Sequence, residues 1–258
     1  MKEIFDFEVV SNESRGEKYF LLTLAHGRGL LTCVPGQFVE IRVDGCADVM
    51  LRRPISIHDA YPDKGTMKLL VQEVGKGTKQ LRALKAGEKL NLVYPLGRGF
   101  TTDITQKSKV LMIGGGAGIA PLLFLSRVLC GKGCSVDVLL GGRTKSLIPV
   151  YEEFQPYATT HISTDDGSLG HKGVVTSHPI MRSEYDIIYT CGPTPMMKAV
   201  AKIASERGIR CEVSLENVMA CGLGACLCCV TPTDLGHRCV CKDGPVFDIS
   251  NMKSWYKN

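Results

Sequence analysis

The sequence has no long uninterrupted apolar run. No apolar segment near its start is long enough for a signal peptide, and the acidic residues Glu3 and Asp6 lie there instead. The longest apolar stretch, residues 110–125, is interrupted by four glycines and contains Pro121, which a membrane-spanning helix disfavours. We therefore expect a soluble, cytoplasmic protein that has no membrane partner and in which disulfides are disfavoured.

A strong excess of positive charge is also lacking. The formal net charge of the 258-residue chain is only +5, because its 31 Lys and Arg residues are dispersed among 26 acidic residues. No basic run carries interleaved aromatic side chains, so a nucleic-acid partner is not expected. The chain also lacks internal repeats, and its length suits one large domain or two ordinary ones.

Two kinds of pattern divide the chain. From Lys2 to about Phe100, short β-like runs are separated by glycine and proline turns, which is typical of an antiparallel barrel or sandwich. From Lys109 to about Leu215, strands alternate with helical patterns, as in a doubly wound parallel nucleotide-binding sheet. The predicted fold class is a β barrel plus α/β, with domains at residues 1–101 and 102–212. A small metal-organised segment is predicted at residues 213–258.

A glycine-rich turn, GGGAGIAP, follows the first predicted strand of the α/β region. The absence of side chains at Gly114, Gly116 and Gly118 would let a pyrophosphate approach the backbone amides that begin a helix. Pro121 stands where the third glycine of a GxGxxG motif belongs, so a tight turn without a ligand is the alternative. A second element, Cys191-Gly192-Pro193, is expected at the same edge of the sheet, where the Cys191 thiol could contact a nicotinamide ring.

Six of the 12 cysteines lie in one stretch, CGLGACLCCVTPTDLGHRCVCKD. Three of them, Cys221, Cys226 and Cys229, have the C-x4-C-x2-C spacing of plant-type ferredoxins, in which a downstream cysteine completes a [2Fe-2S] cluster. A zinc ribbon is the main alternative, but it favours two C-x2-C knuckles and only one is present. Spacing alone does not choose between Cys239 and Cys241 as the fourth ligand.

The order of three motifs resembles that of the ferredoxin reductase family. In that family an Arg-x-aromatic-Ser/Thr strand precedes the GxGxxP and CGP motifs, and here the strand is Arg53-Pro54-Ile55-Ser56. The resemblance implies a barrel that binds FAD and a second domain that binds a nicotinamide dinucleotide. It also implies that the Arg53 guanidinium meets the FAD pyrophosphate and that the Ser56 hydroxyl meets the reactive edge of the flavin. Ile55 replaces the usual aromatic residue.

Further segments resemble the electron-transfer subunits of the type B dihydroorotate dehydrogenases. These segments are RRPISI, GKGTKQLRALKAGEKL, PLGRGF, STDDGSLGHKG, YTCGP and ACGLGACLCCV with CKDGPVF. The resemblance implies that Leu70-Val71-Gln72 and Gly77-Thr78 also line the flavin. It favours Cys241 as the fourth cluster ligand, because Cys241 precedes Asp243-Gly244-Pro245, and it favours NAD as the nicotinamide cofactor.

The same resemblance implies a function and a partner. A nicotinamide gives up two electrons as a hydride and an iron-sulfur cluster takes one at a time, so a flavin must stand between them. We expect an NAD-linked oxidoreductase subunit of pyrimidine (UMP) biosynthesis that uses FAD and a [2Fe-2S] cluster. Its expected partner is an FMN-containing catalytic dihydroorotate dehydrogenase subunit, in a heterotetramer with two copies of each. Leu223, Leu227 and Val230 lie among the cysteines and are expected to form the docking surface; shielding of the cluster from water is the alternative.

Two other functions fit parts of the pattern. A stand-alone NAD(P)H-flavin reductase that delivers electrons to a ferredoxin-like carrier would share every motif. A non-catalytic module stabilised by a metal would share only the cysteines. The residues alone do not decide between NADH and NADPH as the cofactor. Arg143 follows a predicted strand that lacks the usual acidic residue, and its side chain could pair with the 2′-phosphate of NADPH.

Overall fold

The computed structural model describes residues 2–257, so the predicted domain limits at Met1 and Asn258 lie outside the described residues. Seven strands form an antiparallel sheet in the spatial order β4-β3-β7-β1-β2-β6-β5. They are β1 (Glu3–Ser14), β2 (Tyr19–Ala25), β3 (Phe38–Ile41), β4 (Arg53–Ser56), β5 (Asp59–Tyr61), β6 (Thr66–Gln72) and β7 (Lys89–Leu96). Helix α1 (Lys76–Arg82) connects β6 to β7.

This first sheet curves around an apolar core. Along β1, Phe7 and Val9 are fully buried while Asp6 and Glu8 are exposed, as the alternation of side chains in a strand requires. The terminal part of the sheet folds back, because β4 contacts β6. The result is an antiparallel half-barrel, which confirms the fold predicted for this region.

The second sheet contains six parallel strands in the order β11-β10-β9-β8-β12-β13. They are β8 (Lys109–Gly115), β9 (Ser135–Gly142), β10 (Thr159–Thr164), β11 (His171–Lys172), β12 (Ile187–Cys191) and β13 (Arg210–Ser214), with helices α2 (Leu122–Gly131) and α3 (Thr194–Glu206). The chain runs from β8 to β11 on one side and then returns to β12 on the other. The strand order therefore reverses at β8, and in open α/β sheets ligands bind beyond such a reversal.

The C-terminal segment joins this second sheet. Its hairpin consists of β14 (Val230–Thr233) and β15 (Gly236–Cys239), and the short helix α4 (Val240–Asp243) follows. Strand β16 (Val246–Asp248) then pairs antiparallel with β13, with Ser214 opposite Val246, before the short helix α5 (Lys253–Lys257). The cysteine-rich residues are thus held between two neighbouring strands of the second sheet.

Buried polar contacts join the half-barrel to the second sheet. The Asp59 carboxylate is 1% exposed and accepts a hydrogen bond of 2.6 Å from Arg127 of α2. His58 Nδ1 lies 2.7 Å from the carbonyl oxygen of Ala120, which belongs to the glycine-rich turn. These contacts fix the turn relative to the half-barrel. None of the helices in residues 2–257 is long and apolar enough to cross a membrane.

Candidate functional site

The glycine-rich turn and the CGP element meet at the carboxyl ends of β8 and β12. Cys191 lies opposite Gly114 in the register of these strands. A Cβ atom placed on Gly118 would lie only 2.3 Å from the carbonyl carbon and oxygen of Cys191, so the two backbones are in direct contact. Gly192 has a φ of +145°, a conformation that favours glycine. The structure therefore brings the two predicted elements together.

A cavity of about 680 Å³ opens beyond these two strand ends. Gly116 and Pro193 line it, whereas Gly114 and Gly118 are packed behind the turn. Gly116 has a φ of +57°, and the space left by its missing side chain opens the backbone to the cavity. The volume is typical of a small-molecule site, and the backbone cradle suits a dinucleotide.

Arg143 and Asp165 follow the neighbouring strands β9 and β10 and line the same cavity. The Asp165 amide donates to the carbonyl of Gly142 at 3.1 Å, which holds the two strand ends together. An acidic residue, which is lacking at the end of β9, thus follows β10 instead. A carboxylate there can accept hydrogen bonds from ribose hydroxyls, whereas Arg143 can pair with a phosphate.

A second cavity, of about 650 Å³, lies between the half-barrel and the C-terminal segment. Most of the predicted flavin residues line it: Arg53, Pro54, Ile55, Ser56, Leu70, Gln72 and Thr78. Val71 alternates with its neighbours and packs into the half-barrel core at 1% exposure, so only its backbone can face a ligand. Gly77 lies behind Arg53, since a Cβ on Gly77 would be 3.3 Å from Arg53 Cδ.

The Arg53 side chain is oriented by the two residues just before β4. Its Nε and Nη2 atoms donate to the carbonyls of Arg52 and Leu51, each at 3.0 Å. A guanidinium carries five N–H groups, so three remain for a phosphate. The Thr78 hydroxyl accepts hydrogen bonds from the amides of Val74 and Gly75 and thereby fixes the turn that begins α1. These residues fit the pyrophosphate end of a flavin dinucleotide.

Gln72 lines both cavities, and a thiol and a carboxyl lie close to their junction. Cys191 is fully buried, and its Sγ lies 4.0 Å from Oε1 of Glu216, which is open to the flavin-side cavity. Burial, followed by the nearby Glu216, raises the pKa of Cys191 well above its usual value. The thiol therefore stays protonated at neutral pH, which suits contact with a ring and not nucleophilic attack.

The sequence patterns did not identify Glu216. The available signal was its position, because it comes two residues after β13, beside the strand end that carries Cys191. A second acid that the patterns missed is Glu40, which is 1% exposed on β3. Within residues 2–257 neither carboxyl oxygen of Glu40 has a hydrogen-bond partner. Burial raises its pKa to about 7, although Arg53 and Arg52 oppose this shift.

The structure gathers all six C-terminal cysteines into one region, but with different environments. Cys229 and Cys241 are buried at 2% and 0% exposure, Cys226 and Cys228 are exposed, and Cys239 is paired with Val230 in the β14–β15 hairpin. The Cys226 side chain contacts that of Cys221, and the Cys229 side chain contacts that of Cys241. In the part of the chain that is described, no three His, Cys, Asp or Glu side chains converge in metal-binding geometry.

The backbone around these cysteines is arranged to direct amides at sulfur. The amide of Leu223 donates to Cys221 Sγ at 3.4 Å, and the amide of Cys241 donates to Cys229 Sγ at 3.3 Å. Although burial raises the pKa of Cys221, amide hydrogen bonds from Leu223 and its neighbours lower it to about 6. Gly222 and Gly224 have φ values of +65° and +83°. A loop in which cysteine sulfurs accept amide hydrogen bonds fits an iron-sulfur cluster.

Three family models match successive parts of the chain. The model described as an oxidoreductase FAD-binding domain matches residues 5–100, and the oxidoreductase NAD-binding domain matches residues 112–202. The iron-sulfur cluster binding domain of dihydroorotate dehydrogenase B matches residues 216–253. These matches confirm the predicted binding domains for FAD, NAD and an iron-sulfur cluster.

Whole-chain comparisons agree with this order. The chain is 40% identical to the electron transfer subunit of dihydroorotate dehydrogenase B (NAD(+)) from Desulforamulus reducens, over 96% of this chain and 97% of that protein. The corresponding subunit of Shouchella clausii is 39% identical, over 84% of this chain and 86% of that protein.

Solved structures show the same fold. An NADH-dependent reduced ferredoxin-NADP oxidoreductase structure, described for flavin-based electron bifurcation, matches with a TM-score of 0.85 and 32% identity, over 97% of this chain and 91% of that chain. The ferredoxin reductase in carbazole 1,9a-dioxygenase matches with a TM-score of 0.68 and 23% identity, over 81% of this chain and 67% of that chain. The second match supports the fold alone.

Proposed function

Because the chain belongs to the family of electron transfer subunits of the NAD(+)-dependent dihydroorotate dehydrogenase B, we propose a division of labour among its parts. The chain is an oxidoreductase subunit of pyrimidine biosynthesis that transfers electrons between NAD and a catalytic subunit through FAD and an iron-sulfur cluster. We assign FAD to residues 1–101, NAD to residues 102–212 and a [2Fe-2S] cluster to residues 213–258. These limits follow the change of pattern along the sequence.

A bound flavin supplies the exchange between hydride and single-electron chemistry. In our proposal, Arg53 holds the FAD pyrophosphate with its remaining N–H groups, and the Ser56 hydroxyl hydrogen-bonds the reactive edge of the ring. The side chains of Leu70 and Gln72, with the backbone of Val71 and of the Gly77-Thr78 turn, form the walls of the site. Gly116, Gly192 and Pro193 form the dinucleotide cradle, and the buried Cys191 thiol contacts the nicotinamide ring.

A single observation carries this assignment: Gln72 lines both cavities. A ring at the inner end of the dinucleotide cavity is therefore next to the flavin cavity, as hydride transfer requires. The test is to reduce the bound flavin with NADH and with NADPH side by side under rapid mixing. We expect faster reduction by NADH, because Asp165 accepts hydrogen bonds from ribose hydroxyls and repels a 2′-phosphate. Faster reduction by NADPH would instead assign Arg143 to the 2′-phosphate.

We assign Cys221, Cys226, Cys229 and Cys241 as the cluster ligands. The contacts of Cys241 with Cys229 and with the Gly224 backbone support its choice over Cys239. Cys239 lies in the hairpin opposite Val230, and its electrostatic neighbours include Cys229 and Asp243. Zinc remains the alternative metal for these cysteines. The visible absorption spectrum of the purified protein distinguishes the two, because a two-iron cluster absorbs visible light and zinc does not.

The partner in our proposal is an FMN-containing catalytic subunit, with two copies of each chain in a heterotetramer. Apolar side chains around the cysteines support a docking surface on this side of the molecule. Leu223 and Leu227 are 50% and 63% exposed, and Val218 nearby is 77% exposed. Val230 is only half-buried and contributes its other side to the core. Exposed apolar groups next to a redox centre favour a protein contact over bulk water.

The experiment compares the isolated chain with its mixture with a candidate dihydroorotate-oxidising subunit. We expect dihydroorotate-dependent reduction of NAD only in the mixture, together with co-elution of the two chains in size-exclusion chromatography. Replacing both Leu223 and Leu227 by serine should weaken co-elution, whereas serine at the equally apolar but distant Ile4 should not. Activity from the isolated chain, or failure of the mixture to couple and co-elute, contradicts the proposal.

A second candidate function is delivery of electrons to a ferredoxin-like carrier. The observation that favours it is the 32% identity, over 97% of this chain, to the NADH-dependent reduced ferredoxin-NADP oxidoreductase structure. Ferredoxin reduction by the isolated chain with NADH or NADPH would support this function over the first. For the compartment we propose the cytoplasm, and the support is that none of the 12 cysteines, all of which lie in the described residues, forms a disulfide.

A further inference from the structure

The hydroxyl of Tyr19 is a buried polar group without a partner. The side chain is 1% exposed, and no donor or acceptor among residues 2–257 is hydrogen-bonded to its oxygen. Other buried tyrosines of the chain are satisfied: the Tyr189 hydroxyl donates to the carbonyl of Thr101 at 2.5 Å, and the Tyr94 hydroxyl accepts from the Leu31 amide at 3.1 Å. A buried hydroxyl that lacks a partner is unfavourable, so a bound ligand is a natural partner for it.

The surroundings of this hydroxyl place it beside the dinucleotide cavity. Tyr19 begins β2 and lines that cavity, and its neighbour in the register on β6 is Gln72, which lines both cavities. A Cβ atom on Gly116 would lie 3.6 Å from the Tyr19 hydroxyl oxygen. The hydroxyl therefore faces the gap that the glycine-rich turn leaves open.

Glu216 acts on the same hydroxyl from the flavin side. Burial, and then the proximity of Glu216, raise the pKa of Tyr19 to about 12. The hydroxyl consequently keeps its proton at neutral pH and can both donate and accept a hydrogen bond.

The two ends of the dinucleotide cavity differ in chemistry. Arg143 and Asp165 mark the end formed by β9 and β10, which suits the adenosine ribose. Gln72 and Tyr19 mark the end that borders the flavin cavity. The nicotinamide must occupy this second end for hydride transfer, and the only polar substituent on its ring is the carboxamide.

We propose that the Tyr19 hydroxyl hydrogen-bonds the carboxamide of the nicotinamide and positions its ring against the flavin. This inference rests on the proposed use of the cavity by NAD. The carboxamide oxygen is a hydrogen-bond acceptor, and the protonated Tyr19 hydroxyl donates its hydrogen bond to that oxygen. Tyr19 is a positioning residue in this role, since it orients the ring and takes no part in the transfer itself.

The test measures equilibrium binding to the protein loaded with its flavin and cluster. Isothermal titration calorimetry with NAD+ and with ADP-ribose, which lacks the nicotinamide, separates contacts to the ring from contacts to the rest of the dinucleotide. For Tyr19→Phe we expect the Kd for NAD+ to rise about fivefold, and that for ADP-ribose to be unchanged, because one hydrogen bond to the carboxamide is lost. Tyr189→Phe, which removes a hydroxyl remote from the cavity, should change neither Kd.

A second measurement changes the ligand. In thionicotinamide adenine dinucleotide a sulfur replaces the carboxamide oxygen and is a weaker acceptor, so we expect wild-type protein to bind it about threefold more weakly than NAD+. Tyr19→Phe should bind both dinucleotides equally.

The outcomes separate the inference from the proposed function. Equal weakening of NAD+ and ADP-ribose in Tyr19→Phe, or no weakening of either, would overturn the role of the hydroxyl while leaving NAD as the cofactor. The role of the hydroxyl would also be overturned if Tyr19→Phe preferred NAD+ over its thio analogue as strongly as the wild type does. If wild-type protein bound neither NAD+ nor ADP-ribose, the proposed use of the cavity would fail, and the inference with it.

Discussion

The backbone of Gly118 packs directly against the carbonyl group of Cys191. A Cβ atom at Gly118 would lie 2.3 Å from the carbonyl carbon and oxygen of Cys191, a distance that real Cβ atoms do not adopt. Neither neighbour is a flexible side chain that could move away. The glycine-rich turn and the CGP element can therefore pack this closely only because residue 118 has no Cβ atom.

We predict that Gly118→Ala separates these two turns. The extra methyl group should lower the free energy of unfolding by about 2 kcal/mol or more and weaken NAD+ binding at least tenfold. Gly131→Ala is the matched control, because a Cβ at Gly131 meets nothing within 4 Å. Thermal unfolding and calorimetric NAD+ binding check both variants. A Gly118→Ala protein with normal affinity for NAD+ would show that the contact does not shape the site.

We predict that serine at Cys221, Cys226, Cys229 or Cys241 lowers the iron content of the purified protein. Each substitution removes a thiolate ligand and should also destabilise the C-terminal segment. Serine at Cys228 or Cys239 is the control and should leave iron content unchanged. Iron analysis and the visible spectrum measure the effect. Full iron content in Cys241→Ser, with loss of iron in Cys239→Ser, would show that Cys239 is the fourth ligand.

We predict that Ser56→Ala retains bound flavin but slows its reduction by NADH by roughly tenfold. The hydroxyl orients the reactive edge of the ring, and one such hydrogen bond corresponds to about this factor. Rapid-mixing absorbance spectroscopy measures the rate, and the flavin-to-protein ratio is measured on the same sample. Ser11→Ala, on an exposed part of β1, is the control. Identical reduction rates in Ser56→Ala and wild type would remove Ser56 from the site.

We predict that Glu40→Gln stabilises the protein at alkaline pH but not at acidic pH. Burial raises the pKa of Glu40 to about 7 from about 4.5 in the unfolded chain, so the unfolded chain ionises first as pH rises. The wild type therefore loses stability between about pH 4.5 and 7, while the glutamine variant does not titrate. Because relaxation of the protein around a buried charge reduces its cost, the difference at pH 8 should be about 1–2 kcal/mol.

Thermal unfolding at pH 5 and at pH 8 measures the effect of Glu40→Gln. The gain in melting temperature should be near zero at pH 5 and several degrees at pH 8. Glu17→Gln, at an exposed site, should give no pH-dependent difference. A gain that is the same at both pH values would mean that Glu40 is ionised in the folded protein throughout.

Local patterns were sufficient to predict the main architecture. The parallel alternation predicted that GGGAGIAP and CGP would share one sheet edge, because carboxyl ends of parallel strands lie on the same side. The spacing of Cys221, Cys226 and Cys229 predicted a cluster loop, because ligand spacing is a local property. Both predictions depend on short segments whose geometry the nearby chain determines.

Other features depend on contacts between distant residues. Tyr19 resembles any core residue of a strand, and only the neighbouring Gly116 and Glu216 give its hydroxyl a possible role. Glu40 sits in QFVEIRV, where alternation would place a side chain on either face, and its burial depends on the cysteine loop that covers it at Gly222. Strand β16 has three residues, too few for any periodic pattern, and exists because β13 offers it a free edge.

The pairing of Ser214 with Val246 has a consequence for how the cysteine-rich loop is anchored. Antiparallel neighbours lie only about 5 Å apart at their α-carbons, so residues 215–245 leave the sheet and return to nearly the same place. In topological terms residues 215–245, which contain all six C-terminal cysteines, are one long loop at a single antiparallel connection. A two-residue turn would close the same gap. The two ends of the metal-binding loop are thus fixed by one pair of strands, independently of what the loop holds.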